Sequence, residues 1–465
     1  MTSPAPAGPP SRARPAPPAG RSGDAFRAVT VVDIDLARPG EFRAPGGRPP
    51  RRDPTGPALA LVRLHGRPLG TVTATAEGPR DLWRALADSA RRELPGAART
   101  PASVPAPVPP RAGEPRPQVG VVVATRDRTG LLRSCLDSLL AADPPPAEVI
   151  VVDNAPSDDS TERLVRTRYA TRVRYLREPV PGLARAHNRG LAAVRTPLAA
   201  FTDDDTLVDP GWPAALAAAF RADPETGCVT GLIVPAELRT AAQAALERHG
   251  AFGKGFAPRI WSLRDPPADP LFPFTAGRFG SGTNMAFRTE LLRDMGGFDP
   301  ATGTGTPAHG GDDLLAFFRV LVGGRSLAYT PDAIVWHRHR RTPEALAAQA
   351  FGYGSGLGAY LAAAMAHEPR MLPALLRRVP GGLRHALARA GGHPGPDRGP
   401  SRRLALRELR GMAYGPVGYL RSRRRSRRAA PRQAPAPHRT TPPPGPPRAE
   451  QPPQRPGPPP PPTGC

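Results

Sequence analysis

The feature that most constrains this chain is a series of apolar runs, each followed at once by polar or acidic side chains and then by a helix-length amphipathic stretch. Residues 119–124 (VGVVVA), 148–152 (EVIVV), 173–176 and 197–202 (PLAAFT) read as strands. The first two are continuous apolar runs, as expected of parallel strands buried on both faces. Between them, residues 131–141, 158–168 and 183–194 carry helical periodicity, with Ser157 or Asp158 placed to cap the second helix. Strands alternating with helices through short connections predict an α/β fold with a doubly wound parallel sheet. Ligands in such sheets bind beyond the carboxyl ends of the strands. Thr125, Arg126 and Asp127 follow the first strand, Asp153 the second, and Asp203, Asp204 and Asp205 the fourth, so polar groups collect on one rim.

The run Asp203-Asp204-Asp205 is the strongest chemical signal. Three adjacent carboxylates repel one another. A hard divalent cation, Mg²⁺ or Mn²⁺, relieves that repulsion by taking one or two carboxylates and filling its shell with phosphate oxygens and water. On an extended segment alternate side chains point the same way. Asp203 and Asp205 are therefore expected to serve one ligand complex, one on the ribose side and one on the metal. No glycine-rich phosphate loop follows the first strand: VVVATRDRTG fits neither the dinucleotide fingerprint nor the Walker pattern. Phosphates would then be held through the metal.

Composition bounds the rest. The net charge of +24 suggests a polyanion partner, but its placement argues against a nucleic-acid reader. Residues 119–345 hold 26 basic and 26 acidic side chains, 1–118 hold 18 and 10, and 346–465 hold 20 and 4. No specific nucleic acid is expected as a partner. The run Arg421–Arg428 (RSRRRSRR) is either a solvated charge run or a patch for acidic lipid or nucleic acid. The 66 prolines concentrate toward the two ends, so 1–23 and 426–465 read as disordered and 98–117 as a Pro-rich linker. Residues 24–97 read as a small accessory α+β module with strands at 29–36 and 59–64 and a helix at 81–93. Residues 118–345 form the main domain. Residues 346–425 form a basic helical extension, with helices expected at 351–367, 371–389 and 404–419. Those helices rest either on a membrane surface or against the main domain. Cys135, Cys228 and Cys465 lack metal or disulfide spacing, which fits a reducing compartment. With no apolar N-terminal run and no stretch of about 18 apolar residues, a cytoplasmic protein is expected, with possible peripheral contact at an anionic inner membrane face.

Seven stretches, in order, resemble the family 2 glycosyltransferases: VVVATRDR (121–128), VIVVDNAPSDDST (149–161), PGLARAHNRGL (181–191), FTDDDT (201–206), GSGTNMAFR (280–288), GGFDP (296–300) and GGDDLLAFFR (310–319). The resemblance implies a nucleotide-sugar-binding architecture of GT-A type, with a nucleotide-sugar donor and a saccharide or lipid-linked acceptor. It places Asp153 against the N–H of the nucleotide base and the Thr125–Asp127 turn along base and ribose. Arg185 and Asn188 lie near the nucleotide, and Asp204 stands with the donor-binding set. GGDD-LLAFFR stands where the family has G-E-D-x-D-L. Asp313 is then the expected general base, with Asp312 second. Leu315 replaces a second acid of the family pattern, which affects acceptor contacts. Gly282 and Asn284 fall in the acceptor and donor-sugar region.

His337 and His339 follow another apolar strand, in IVWHRHRR. His337 is the better placed to complete the metal shell with Asp203 and Asp205. Trp336 and Trp261 could stack on an acceptor sugar, although core packing suits each as well. The expected activity is an inverting, metal-dependent transfer from a UDP- or dTDP-sugar to a hydroxyl. A nucleotidyltransferase also uses paired carboxylates and metal, but would want a basic phosphate loop that Arg126 and Arg128 alone do not make. A non-catalytic polyanion- or membrane-binding scaffold remains the alternative from another class.

Overall fold

The computed structural model describes residues 26–94, 118–248, 253–378, 381 and 399–429. The expected tail at 1–23, the tail expected at 426–465 beyond residue 429, the linker at 98–117 and most of the helix expected at 371–389 lie outside the described residues; 426–429, expected as part of that tail, are helical.

The main sheet has nine strands: β4 (Val119–Thr125), β5 (Glu148–Asn154), β6 (Arg174–Glu178), β7 (Leu198–Asp203), β8 (Thr206–Val208), β9 (Thr226–Pro235), β10 (Arg259–Trp261), β11 (Asn284–Arg288) and β12 (Ser326–His337). Their order is β10-β12-β9-β11-β7-β4-β5-β6, with β8 paired to β12. Strands β4 to β7 are parallel, and β9 and β12 are parallel to each other. Strand β11 enters antiparallel between β7 and β9, so it begins where its neighbours end. The sheet is therefore mostly parallel, as expected for a GT-A type fold. One rim receives the ends of β4, β5, β7, β9 and β12 together with the start of β11.

Helices cover both faces, which is why the strands read as unbroken apolar runs. Val121, Val123, Val149 and Val151 pack with Leu132 and Leu136 of α2 (Thr129–Leu139) and Trp212 of α5 (Trp212–Ala222). Val122, Ile150, Val152 and Phe201 pack on the opposite face with α4 (Leu183–Ala193) and α8 (Asp312–Val322). Short helices α3 (Ser160–Arg168), α6 (Ala241–Arg248) and α7 (Thr289–Asp294) complete the wrap. Helix α3 carries no side-chain cap; Asp158 instead accepts from Ser160 N two residues on, at 2.8 Å.

The N-terminal module is a three-stranded sheet, β1 (Thr30–Asp35), β2 (Gly56–Leu64) and β3 (Arg67–Ala76), backed by α1 (Pro79–Glu93). Strand β3 is absent from the sequence reading. Its hairpin turns on His65 and Gly66, both at positive φ, where Asn-Gly would have been the readable signal. One sheet face packs on Leu82, Trp83 and Leu86 of α1. The other carries Val29, Val31, Leu59 and Leu61 against Leu232, Val234, Ile334 and Trp336 of the main domain. Within that seam Arg63 Nε donates to Asp33 Oδ1 at 2.9 Å and Nη2 donates to Asp209 Oδ2. The module is thus joined to the main sheet by a buried ion network as well as by apolar contact.

Beyond the sheet, α9 (Pro343–His367) is capped by Thr342, whose hydroxyl accepts from Ala345 N at 3.2 Å. It buries Ala359, Tyr360, Ala363 and Ala364 against the main core, so packing on the domain is its outcome. A long helix, α10 (Gly399–Ala429), lies along α9. The two meet through glycines. A Cβ on Gly354 would fall 1.8 Å from Glu408 O, and one on Gly415 would fall 2.5 Å from Ala359 N. With no side chain in the way, the backbones come into direct contact, as at small-xxx-small helix seams. Among the described residues no helix is long and apolar enough to cross a membrane.

Candidate active site

Side chains from several strand ends and helix starts meet at the sheet rim. After β7 the chain turns, so Asp203, Asp204 and Asp205 do not share one direction. One oxygen each from Asp203 and Asp205 and one ring nitrogen of His337 lie within 4.8 Å of one another. Asp204 is turned the other way. It accepts from the Thr125 hydroxyl at 2.8 Å and from Arg128 Nη1 at 3.2 Å. The sequence reading counted Thr125 and Asp204 among donor-binding residues. Here each satisfies the other, and together they tie the acidic turn to the end of β4.

The carboxylates differ in electrostatic state. Burial and the neighbouring Asp205 push Asp203 up, and burial pushes Asp204 up to about 6. Burial alone would also raise Asp205, but His337, Arg340 and Arg128 outweigh it and hold Asp205 down to about 2. Asp205 Oδ1 is buried and takes no hydrogen bond of good geometry, with His337 Nε2 3.3 Å away. An ionised carboxylate with an under-used buried oxygen beside an imidazole nitrogen and a second carboxylate is a fitting donor set for Mg²⁺ or Mn²⁺. The two arginines supply part of the counter-charge that the three-aspartate run demands. Arg340 reaches Asp205 from just past β12, far along the chain.

The imidazole is held from behind. His337 Nδ1 faces His339 Nδ1 at 3.0 Å, and His339 Nε2 faces Glu247 Oε1 of α6 at 2.7 Å. Burial alone would lower the His337 imidazole, but Asp205 outweighs it and pushes the group up. With an ion bound and both rings neutral, His337 would donate from Nδ1 to His339, His339 would donate from Nε2 to the carboxylate, and His337 Nε2 would face the ion beside Asp205. Carboxylate backing of a ligating histidine orients it and raises its basicity. The H-x-H motif therefore divides into a facing ring and a supporting ring.

Asp313 joins the same cluster from α8. Gly282 N donates to its Oδ2 at 2.7 Å, and Leu314 N donates to Oδ1 at 2.8 Å. The next residue after Gly282, Thr283, donates its hydroxyl to Asp203 Oδ2 at 2.7 Å. Two consecutive residues just before β11 thus bridge the candidate base and the candidate metal ligand. Thr283 is a site residue that the sequence reading passed over between Gly282 and Asn284. Burial and the adjacent Asp312 push the Asp313 carboxyl up to about 6. Asp312 is 5 % exposed and faces inward, 3.6 Å from His187 Nδ1. Although Asp313 Oδ1 takes up the first-turn Leu314 N–H, the N-cap of α8 is Gly311 at φ 89°. A Cβ there would fall 2.4 Å from Gly356 O of α9, so α9 and the base helix are in intimate contact.

At the other end of the rim, Asp153 is fully buried and accepts from the Tyr175 hydroxyl at 3.0 Å through Oδ2. Its Oδ1 is buried without a partner, and burial pushes the group up to about 6. Asp127, at φ 54°, accepts from Ser157 N at 2.9 Å and joins the turns after β4 and β5. Arg126 is exposed beside it, and Arg185 is half-buried on the first turn of α4.

Three expected site residues have structural work instead. Asn188 bridges Phe298, donating to its carbonyl at 2.7 Å and accepting from its N–H at 2.8 Å. Asn284 is fully buried, accepting from Trp212 Nε1 at 2.9 Å and donating to Leu232 O and Ala333 O. Trp336 is fully buried in the seam with the N-terminal module, with no ring face open to a sugar. Trp261 is likewise buried, against Phe279.

A family model described as "Glycosyltransferase like family 2" matches residues 115–352, just over half of the chain. The pre-mycofactocin glycosyltransferase of Mycobacterium tuberculosis is 29% identical over 252 residues, which cover 53% of this chain and 48% of that protein. The chain thus spans about half the length of this curated relative. Among solved structures, a mannosyltransferase from Pyrobaculum calidifontis in complex with GDP-Man and Mn²⁺ aligns over 65% of this chain and 87% of its own, with 22% identity and a TM-score of 0.41. The glucosyl-3-phosphoglycerate synthase of Mycobacterium tuberculosis, in complex with Mn²⁺, UDP and glucosyl-3-phosphoglycerate, aligns over 54% and 80%, with 19% identity and a TM-score of 0.34. These structural likenesses are loose, and the assignment rests on the family model and the motifs it spans: the chain belongs to the glycosyltransferase like family 2.

Proposed function

We propose that this enzyme is an inverting, metal-dependent glycosyltransferase that moves a sugar from a uridine- or thymidine-diphosphate donor to a hydroxyl of a saccharide, lipid-linked or small-molecule acceptor. The observation that carries the reading is the cluster of Asp203, Asp205 and His337 donor atoms within 4.8 Å, joined through Thr283 and Gly282 to Asp313 at the start of α8. A bound Mg²⁺ or Mn²⁺ would neutralise the diphosphate that leaves. Asp203, Asp205 and His337 would hold that ion, and Arg128 and Arg340 would face the same anionic group. Asp313 takes the proton of the acceptor hydroxyl as its oxygen attacks the anomeric carbon and the bond to the diphosphate breaks. A carboxyl held near 6 suits a base working near neutral pH.

Asp153 supports a pyrimidine donor. Tyr175 already occupies Oδ2, which leaves one buried unpartnered oxygen. That matches the single imide N–H of uracil or thymine, whereas guanine presents two adjacent donors on the same edge. Thermal unfolding with UDP, dTDP or GDP, each with Mn²⁺ and with EDTA, tests the proposal. UDP or dTDP with Mn²⁺ should stabilise by about 2.7 kcal/mol at 100 times the dissociation constant. A response to GDP alone would overturn the pyrimidine reading, and transfer unaffected by EDTA would overturn the metal.

A further inference from the structure

We propose that the outward face of α10 is a docking surface for an anionic lipid bilayer. Helix α10 carries ten arginines and one acid, Glu408. Its inner face is spent on the main body. Gly411 and Gly415 meet α9 backbone to backbone, the Tyr419 hydroxyl donates to Asp299 Oδ2 at 3.1 Å, and the Ser426 hydroxyl donates to Pro300 O at 3.0 Å. Positions 406, 410, 413, 417, 420, 421, 424 and 428 recur in steps of three and four with one adjacent pair, so they form one stripe along the helix. Every one of them is exposed. The stripe reads Leu406, Arg410, Ala413, Val417, Leu420, Arg421, Arg424, Arg428. Leu406, Val417 and Leu420 are 54%, 46% and 54% exposed. At about 1.5 Å per residue the stripe runs roughly 33 Å over the protein surface.

A purely solvated charge run has no need of large apolar side chains on the same stripe. A polyphosphate ligand would be met by the arginines alone. Apolar residues interleaved with arginines on one helical face are the pattern of a helix lying in a lipid headgroup layer. Charge decides between the occupants. A second copy would bring the same arginine face, and residues 379–398 and 430–465 of this chain are themselves arginine-rich, with Asp397 and Glu450 as their only acids. All of these repel a basic stripe, whereas an anionic headgroup layer attracts it. The glycine seam fixes α10 rigidly on the catalytic body, so docking of this face would orient the whole enzyme on the bilayer. The inference is independent of the sugar-transfer chemistry.

Co-sedimentation of the full chain with vesicles tests it, using phosphatidylcholine alone and phosphatidylcholine with 30 mol% phosphatidylserine (about one lipid in three, enough to set a surface potential). Binding should require phosphatidylserine. Each arginine near such a surface is worth roughly fivefold in partitioning, so joint Arg421→Gln, Arg424→Gln and Arg428→Gln substitution should weaken it by at least tenfold. Joint Leu406→Ser, Val417→Ser and Leu420→Ser should also weaken it, with the thermal unfolding midpoint and donor turnover unchanged. Equal binding to phosphatidylcholine alone would overturn the proposal. So would vesicle binding indifferent to the serine substitutions and matched by an RNA oligonucleotide, which would mark a polyanion patch. A dimer that the serine substitutions dissociate would overturn it in favour of a self-interface.

Discussion

Replacing Arg63 by Met should separate the N-terminal module from the catalytic body. The Arg63 side chain is 6% exposed and lies between Asp33, wholly buried, and Asp209, 9% exposed. Burial pushes the Asp33 carboxyl up against the pull of Arg63 and Arg43. Methionine keeps much of the stem volume but leaves two buried carboxylates with only Arg43, 3.4 Å from Asp33, as counter-charge. Removing one partner of a buried ion pair costs about 3–5 kcal/mol. An exposed pair such as Arg84 and Asp81 is worth about 0–1 kcal/mol. At about 2–4 °C per kcal/mol for domains of 150–250 residues, the midpoint should fall by about 6–20 °C. The damage should reach the metal position. Asp209 N donates to Ile334 O at 3.0 Å, and β8 pairs with the end of β12 that carries His337. Calorimetry, limited proteolysis of the module and Mn²⁺-dependent nucleotide binding would all register it. Adding Asp33→Asn and Asp209→Asn to Arg63→Met should restore most of the stability by removing the stranded charges. An Arg63→Met midpoint within about 2 °C of wild type would refute the reasoning and mark the network as solvent-screened.

Asp313→Asn should lower turnover by about 10²–10⁴-fold while nucleotide affinity stays near wild type, because the base acts mainly in the transition state; a loss confined to Asp312→Asn would move the base one residue back. The base must be ionised, and burial with Asp312 holds Asp313 up to about 6. Turnover at saturating donor should therefore fall as pH drops below about 6. Asp153 also titrates at about 6, but it acts on donor affinity and drops out at saturation; a flat profile from pH 7 to 5 would count against Asp313. Gly354→Val would place a Cβ at 1.8 Å from Glu408 O and should force α10 off α9, at a cost of at least about 1–3 kcal/mol. Hydrogen exchange across 399–429 should accelerate, and unchanged protection would show that the seam yields without undocking.

The sequence by itself determined the strand–helix alternation, the rim on which the polar residues gather, and the pairing of an acidic run with an acidic helix start. These are local signals. Apolar runs such as VGVVVA declare burial on both faces; the convergence of Asp203 and Asp205 is expected of an extended segment, but the chain turns after Asp203 and it is that turn which brings the two together. The sequence also marked His337, because a histidine just past a buried strand lands on the same rim. It could not show that Thr283 and Gly282 bridge Asp203 to Asp313, since that depends on β11 running antiparallel between β7 and β9. Nor could it show that Asn188, Asn284 and Trp336 are spent on Phe298, Trp212 and the module seam, because a motif position states a residue type and not the neighbours it will meet. Glu247 behind His339, Arg340 beside Asp205, and Arg63 against Asp209 are all pairings across 90 or more residues. Such contacts follow from chain topology and packing, which set distances that sequence separation does not encode.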